Sequence, residues 1–205
     1  MRKIAATVFI SLDGVVEAPD QWHFPYFSDE MGVAVNEVLN TDTLLLGRVT
    51  YDSFAGAWPG REEAGEEDAS FAKALGDARK IVVSNQRLEF TWRNSELLVG
   101  GLVPGVTALK NEPGESHIGI SGSISVVRQL LAAGLLDELH LLMHPIAVRS
   151  GFRLFDESDS RIPLRLIRSE TFGTGVLNLA YAPADAPGDA GYDEAKIHLP
   201  DAGGS

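Results

Sequence analysis

The chain contains no cysteine. Disulfides, thiol catalysis and cysteine-ligated zinc are therefore excluded together, and a cytoplasmic setting is expected. No apolar run approaches the length of a membrane span. Positive charge is scarce: 17 Lys and Arg stand against 29 Asp and Glu, a formal net charge of -12. Without a concentrated basic patch, the phosphates of a nucleic acid would be repelled rather than bound. Gly-x-Gly-x-x-Gly does not occur, so the standard Rossmann fingerprint is missing. Internal repeats are missing too.

What is present suits one well-buried domain, since 205 residues is ample for one and short for two. Met1 to Ile10 has the basic and apolar look of a signal peptide, but Asp13 interrupts it early. The segment reads better as a first strand that ends in the turn Leu12-Asp13-Gly14. Strand patterns fall at residues 3–11, 43–46, 80–84, 97–99, 117–120, 138–145, 164–171 and 175–182. Helical patterns lie at 29–39, 48–54, 70–78 and 125–133, the last closed by Gly134. This alternation predicts an α/β fold, a mostly parallel sheet with helices on both faces. Phe172-Gly-Thr-Gly175 joins the last two strands and predicts an antiparallel hairpin at one edge. The acidic run from Arg61 to Asp68 reads as a solvated loop leading into the helix at Ser70. Residues 1–182 form the expected domain, and 183–205, rich in Pro, Ala, Gly and Asp, are expected to be a mobile tail.

Two strand-turn-helix junctions carry the chemistry. In the first, the strand His117-Ile-Gly-Ile120 runs through Ser121-Gly122-Ser123 into a helix with Val126, Val127, Leu130 and Leu131 on one face. Orphan N–H groups at a helix start, with glycine to admit a ligand, make a cradle for phosphate. The second, Gly47-Arg48-Val49-Thr50-Tyr51, also follows an apolar strand. A pair of such sites in one small domain predicts a dinucleotide gripped at both ends.

These residues resemble a known family. Ser11-Leu-Asp-Gly14, Leu46-Gly-Arg-Val-Thr-Tyr51, Lys80-Ile-Val-Val-Ser-Asn85, Ile120-Ser-Gly-Ser123 and Gly134-Leu-Leu-Asp-Glu-Leu139 occur in the order of the dihydrofolate reductase-like superfamily. The closer likeness is to the reductase half of the bifunctional riboflavin-biosynthesis deaminase–reductase and its stand-alone bacterial relatives, over about Arg2 to Ala182. The resemblance implies a central parallel sheet with an antiparallel C-terminal hairpin, NADPH as cofactor, and a homodimer. It implies cofactor contacts from Gly47, Arg48, Val49 and Thr50 to the adenine-side phosphates, and from Ser84 and Asn85 to the adenosine ribose and its 2′-phosphate. Gly122, Ser123, Ile124 and Ser125 match the diphosphate turn, and backbone near Ala6 the nicotinamide carboxamide. One departure stands out: the family's diphosphate turn carries successive glycines, whereas here Ser121 and Ser123 flank a single one. The deaminase half needs Pro-Cys-x-x-Cys, which a cysteine-free chain cannot supply.

Hydride transfer to a small heterocycle or carbonyl needs a proton source beside the acceptor. Asp29, shortly after Trp22-His-Phe-Pro25, is the candidate catalytic acid, by likeness to the carboxylate that serves the pterin in dihydrofolate reductases. Its structural alternative is that Ser28 caps a helix whose dipole Asp29 and Glu30 complement. Asp13, Trp22 and Phe24 are the candidate substrate contacts, although Asp13 suits a turn former and the aromatics suit packing. Arg48 is the candidate partner of the 2′-phosphate, against a surface ion pair with nearby acids. His140 and His144 share a strand face roughly 13 Å apart, too far for one metal, and His23 is either a pocket-lining residue or, more simply, a polar loop residue. Two other classes remain open: a nucleotide-binding module without turnover, and a serine hydrolase in which Gly119-Ile-Ser121-Gly-Ser123 nearly matches Gly-x-Ser-x-Gly.

Overall fold

Ile4, Ala6, Val8 and Ile10 alternate along the first strand with Ala5, Thr7 and Phe9; the first set enters one core, while Ala5 and Phe9 pack into two others. That period of two is what a strand buried on both faces requires. The computed structural model describes residues 1–155, 161–186, 188 and 191. Its strands are β1 (Ile4–Ser11), β2 (Thr43–Gly47), β3 (Arg79–Val83), β4 (Ser95–Leu97), β5 (Ile118–Ser121), β6 (Glu138–His144), β7 (Leu164–Thr171) and β8 (Leu177–Pro183). They form one sheet in the order β4-β3-β2-β5-β1-β6-β8-β7. Pairings from β4 through β6 are parallel, while β8 runs antiparallel to both β6 and β7. The expected edge hairpin is present.

Among the described residues, five α-helices cover the two faces: α1 (Asp29–Leu39), α2 (Arg48–Ala64), α3 (Ala69–Asp77), α4 (Leu102–Asn111) and α5 (Ile124–Ala132). Helices α4 and α5 pack Val106, Leu109, Val126, Val127, Leu130 and Leu131 against Ile4, Ile118, Ile120 and Leu139. On the opposite face, Val38, Leu39, Tyr51 and Leu75 cover Leu44, Leu46 and Val82. Ser28 caps α1, its Oγ accepting from the Met31 N–H at 3.3 Å. Met31, Ala34, Val38 and Leu39 then recur at helical spacing on the buried side. Gly134, at φ 65, ends α5 in the left-handed conformation that favours glycine.

Three expectations need correction. The helix starting at Arg48 runs to Ala64, so the front of the acidic stretch is helical rather than loop. Gly56, Pro59 and Gly60 suggest a break there, but Tyr51, Phe54 and Trp58 pack on the second core and carry the helix through. Helix α4 was not expected, because Pro104 and Gly105 near its start disguise it. Proline is tolerated in a first turn, where its missing N–H would have no partner. Strand β4 lies two residues earlier than its apolar signal, at Ser95–Leu97. Of the tail expected over 183–205, Pro183 is the last residue of β8, and 187, 189–190 and 192–205 lie outside the described residues.

Candidate active site

The parallel strands end at a common edge, and pairing there is unequal. Strand β1 pairs with β6 as far as Ser11, but with β5 only as far as Thr7. The Lys3 and Thr7 carbonyls accept from Ile118 and Gly122, whereas the Ile4 carbonyl accepts from Asp137 on the other side. Odd-numbered residues of β1 therefore turn their amides toward β5, and Phe9 meets open space where β5 has ended. The cleft that opens there has a volume of about 1970 Å³, the scale of a large ligand or a ligand pair. It lies outside the carboxyl ends of the strands, where open α/β sheets bind ligands.

One end of the cleft is made of backbone. Helices α2 and α5 begin side by side at Gly47 and Ser123, and neither has a side-chain cap. Instead the two turns hold each other: Ser123 Oγ accepts from the Gly47 N–H at 3.0 Å, and Thr50 Oγ1 accepts from the Ser123 N–H at 3.2 Å. Gly122, at φ 55, donates its N–H to the Thr7 carbonyl at 3.2 Å. That accounting leaves the N–H groups of Ile124 and Ser125 on α5, and of Arg48, Val49 and Thr50 on α2, without intrahelical acceptors. All five residues line the cleft, as do Gly47, Gly122, Ser123, Ser84 and Asn85. The two junctions thus form one surface rather than two separated sites. Gly101 and Leu102, at the uncapped start of α4, extend it. Sequence reasoning missed these two, although the pair Gly100-Gly101 was the available signal.

Ala6 stands elsewhere. It is fully buried, its side chain faces the core under α5, and its amide turns toward β6. Thr7, Val8 and Phe9 line the cleft in its place. Arg48 forms the ion pair that was its alternative, donating to Asp52 one turn along α2 at 2.9 Å, while remaining on the cleft wall.

The other end is aromatic and acidic, lined by Phe9, Asp20, His23, Phe24, Phe27, Asp29, Asn36 and Phe152. Asp29 and Glu30 part company here. The Glu30 carboxylate accepts from the Gly173 N–H at 3.0 Å and so ties α1 to the β7–β8 hairpin. Asp29 has no hydrogen-bond partner among the described residues and faces the cleft. Asp13 and Trp22 do not line it. The Asp13 carboxylate accepts from Ser11 Oγ and from the N–H groups of Val148 and Arg149 at 2.7, 3.0 and 2.9 Å. Those bonds, that from Ser11 first, hold its pKa below the usual carboxylate range. Trp22 is buried, donates its indole N–H to the Glu17 carbonyl at 3.0 Å, and meets His144 edge-on. Both brace the loop after β1, away from the cleft lining.

His140 and His144 share the α1 face of β6. The His140 ring lies 3.3 Å from Glu138, and His144 Nδ1 is 2.8 Å from the Leu142 carbonyl. Among the described residues no histidine is hydrogen-bonded to Ser121, so the hydrolase reading has no assembled base. No helix among them is long and apolar enough to cross a membrane.

Relatives of similar length match nearly the whole chain. The uncharacterized protein YyaP of Bacillus subtilis is 27% identical over 184 residues, 88% of this chain and 94% of its own length. The uncharacterized protein YwjB of the same organism is 25% identical over 182 residues, covering 85% and 95%. Among solved structures, a putative riboflavin biosynthesis protein from Shewanella sp. PV-4 superposes with a TM-score of 0.64 at 21% identity, over 89% of this chain and 99% of that one. A pyrimidine reductase-like protein from Corynebacterium diphtheriae gives 0.59 at 16%, over 90% and 93%. At these identities the structures establish the common fold. A family model described as the RibD C-terminal domain matches residues 2–178, a span that includes both uncapped helix starts, the open end of β1 and Asp29, and the chain belongs to that family.

Proposed function

We propose that the chain is an NADPH-dependent reductase that transfers hydride to a small heterocyclic or carbonyl substrate. The observation that carries this reading is the pair of uncapped helix starts, α2 and α5, on one wall of a cleft whose far end is aromatic and holds an unpartnered carboxylate. Membership of a reductase-type family, and the pyrimidine reductase-like description of one structural relative, point the same way.

The residues present fit the cofactor. Orphan N–H groups of Ile124 and Ser125 suit a diphosphate, and those of Arg48, Val49 and Thr50 suit a second phosphate. A Cβ at Gly122 would come no nearer than 3.7 Å to Thr50, so the glycine is called for by its φ of 55 and by approach from the cleft side. Ser84 and Asn85 offer polar groups at the end of β3 to the adenosine ribose. Arg48 offers a guanidinium to the 2′-phosphate. The open amide of Phe9 suits the carboxamide of a nicotinamide. When bound, the cofactor supplies the hydride. The chain positions the acceptor, excludes water with Phe24 and Phe27, and holds Asp29 where it can hydrogen-bond the substrate and support its protonation.

The protein is proposed to act in the cytoplasm as a homodimer. One of the two edge strands, β7, exposes Leu166 and Ile167 and is the proposed contact, which sedimentation equilibrium tests directly. For the cofactor, titration of NADPH followed by its fluorescence should show saturable binding that is lost in Gly122→Val. Binding without substrate-dependent cofactor oxidation, across pyrimidines, pterins and simple carbonyls, would support a nucleotide-binding module instead.

A further inference from the structure

Ser123 holds a backbone conformation that costs a serine something. Its φ of 48 and ψ of 43 are left-handed, a region that glycine enters without a clash and serine does not. Ala18, Asn94 and Arg149 are the other non-glycine residues with positive φ among the described residues. The residue is buried as well. A glycine would serve this turn with less strain, so the side chain needs a reason to be there.

That reason is the neighbouring helix. Gly47 and Ser123 are the N-cap residues of α2 and α5, and Thr50 lies in the first turn of α2. Ser123 Oγ accepts the N–H of the α2 cap at 3.0 Å, and Thr50 Oγ1 accepts the N–H of the α5 cap at 3.2 Å. In a capping box one helix closes such a reciprocal pair on itself. Here the pair is shared between two helices, and each gives one orphan donor to the other. The backbone ladder does not reach this point. Strands β2 and β5 pair at Thr43 with Ile118 and at Leu44 with Gly119, after which β2 continues unpaired with β5 to Gly47. Gly122 donates the other way, to Thr7 of β1. Val126 packs close to Gly47, but apolar contact carries no direction. Among the described residues, the two side-chain bonds are what ties one helix start to the other at a set distance.

We infer that Ser123 and Thr50 are positioning residues, whose hydroxyl oxygens fix the spacing of the two helix starts for a ligand that must fill both at once. The inference rests on the proposed function, in which the two starts hold separate phosphates of one NADPH. A preset spacing spares the spanning ligand the cost of ordering the cradle as it binds. A ligand that fills one start gains nothing from it. The strain at Ser123 is thus offset by what its Oγ does for α2.

The experiment compares NADPH with two fragments, adenosine 2′-monophosphate for the α2 start and reduced nicotinamide mononucleotide for the α5 start. Each is titrated into 15N-labelled wild type and Ser123→Gly, and the amide spectra register even millimolar binding. Ser123→Gly removes the hydroxyl and suits the turn. It should weaken NADPH about 3- to 10-fold, the size of one neutral hydrogen bond, and change each fragment alone by less than about twofold. Thr50→Val should behave in the same way, whereas Thr50→Ser, which keeps an oxygen in place, should retain NADPH affinity. Amide exchange at Gly47 should be slow in the wild type and fast in Ser123→Gly, because Ser123 Oγ is the acceptor that protects it. Should Ser123→Gly fail to fold, Thr50→Val and the wild-type exchange at Gly47 decide. Undiminished NADPH affinity in the variants, or an unprotected Gly47 amide in the wild type, would overturn the inference and leave the reductase reading standing. So would an equal loss for one fragment alone, which would make the hydroxyl a direct phosphate contact. A wild type that binds no NADPH would refute the reductase reading itself, and the inference with it.

Discussion

Replacing Arg48 tests the cofactor assignment at its most specific point. The guanidinium is 42% exposed and paired with Asp52, itself 53% exposed, at 2.9 Å. In the assigned role it must leave that carboxylate for the 2′-phosphate. A charge-assisted hydrogen bond contributes about 1.5–3 kcal/mol, and the exposed i,i+4 pair it gives up is worth about 0.3–0.5 kcal/mol. The difference, about 1–2.5 kcal/mol, is the preference for NADPH over NADH that Arg48→Ala should remove, a factor of about 5 to 70. Asp52→Asn should act in the opposite direction. It frees Arg48 and removes a negative charge, and so should tighten NADPH about twofold while leaving NADH nearly unchanged. Isothermal titration of both cofactors against wild type and the two variants measures all six affinities. Parallel losses for NADPH and NADH in Arg48→Ala would assign the 2′-phosphate elsewhere. So would an Asp52→Asn variant indistinguishable from wild type, since the competition it relieves would not exist.

At Gly122 a valine should preserve the fold by circular dichroism, because the φ of 55 costs a non-glycine residue only about 1–2 kcal/mol. Its branches would stand before the orphan N–H groups of Ile124 and Ser125, and cofactor affinity should collapse; retained affinity would place the diphosphate elsewhere. Asp29→Asn should keep NADPH binding and lower turnover about 10²–10⁴-fold once a substrate is found. Glu30→Ala should instead lower stability by about 1 kcal/mol, through loss of the bond from Gly173, and stability losses alone from both would reduce Asp29 to a helix-start residue. Acid should destabilise the native state through its buried imidazoles: burial first, then His144, holds His23 at about 4, and burial lowers His144 likewise. The unfolded chain takes up these protons near pH 6.5, so stability present above that value is lost as pH falls toward 4, by on the order of 2 kcal/mol for His23 between pH 7 and 5. Urea denaturation of His23→Phe at both values should show a shallower loss, and an unchanged one would remove His23 as its source.

Much of this molecule is written locally. The period-two alternation from Ile4 to Ile10 and the helical spacing of Met31, Ala34, Val38 and Leu39 are set by neighbours a few residues apart, so both elements are legible without coordinates. The same holds for the two glycine-bearing turns, because a strand running into small residues and then an apolar helix has one mechanical outcome. Where local signals conflict, packing decides. Pro59 argues against a helix that Tyr51, Phe54 and Trp58 nevertheless hold together. Lys80 looks like an exposed strand residue, yet it is fully buried, donating to the carbonyls of Leu75, Gly76 and Ala78 at the end of α3 and lying 4.3 Å from the Trp92 ring.

The sequence by itself determined the α/β class, the parallel sheet with its terminal hairpin, and which residues start α2 and α5. Only the tertiary structure decided that β2 and β5 are neighbours, so that the two helix starts share one wall and hydrogen-bond each other through Ser123 and Thr50. It also separated residues that stand close in the chain: Asp29 faces the cleft and Glu30 the hairpin, His23 the cleft and Trp22 the interior. The physical reason is range. Periodicity and caps act within a turn or two of chain, whereas the direction a side chain meets is set by strands and loops more than a hundred residues away, as Gly173 is from Glu30 and Val148 from Asp13.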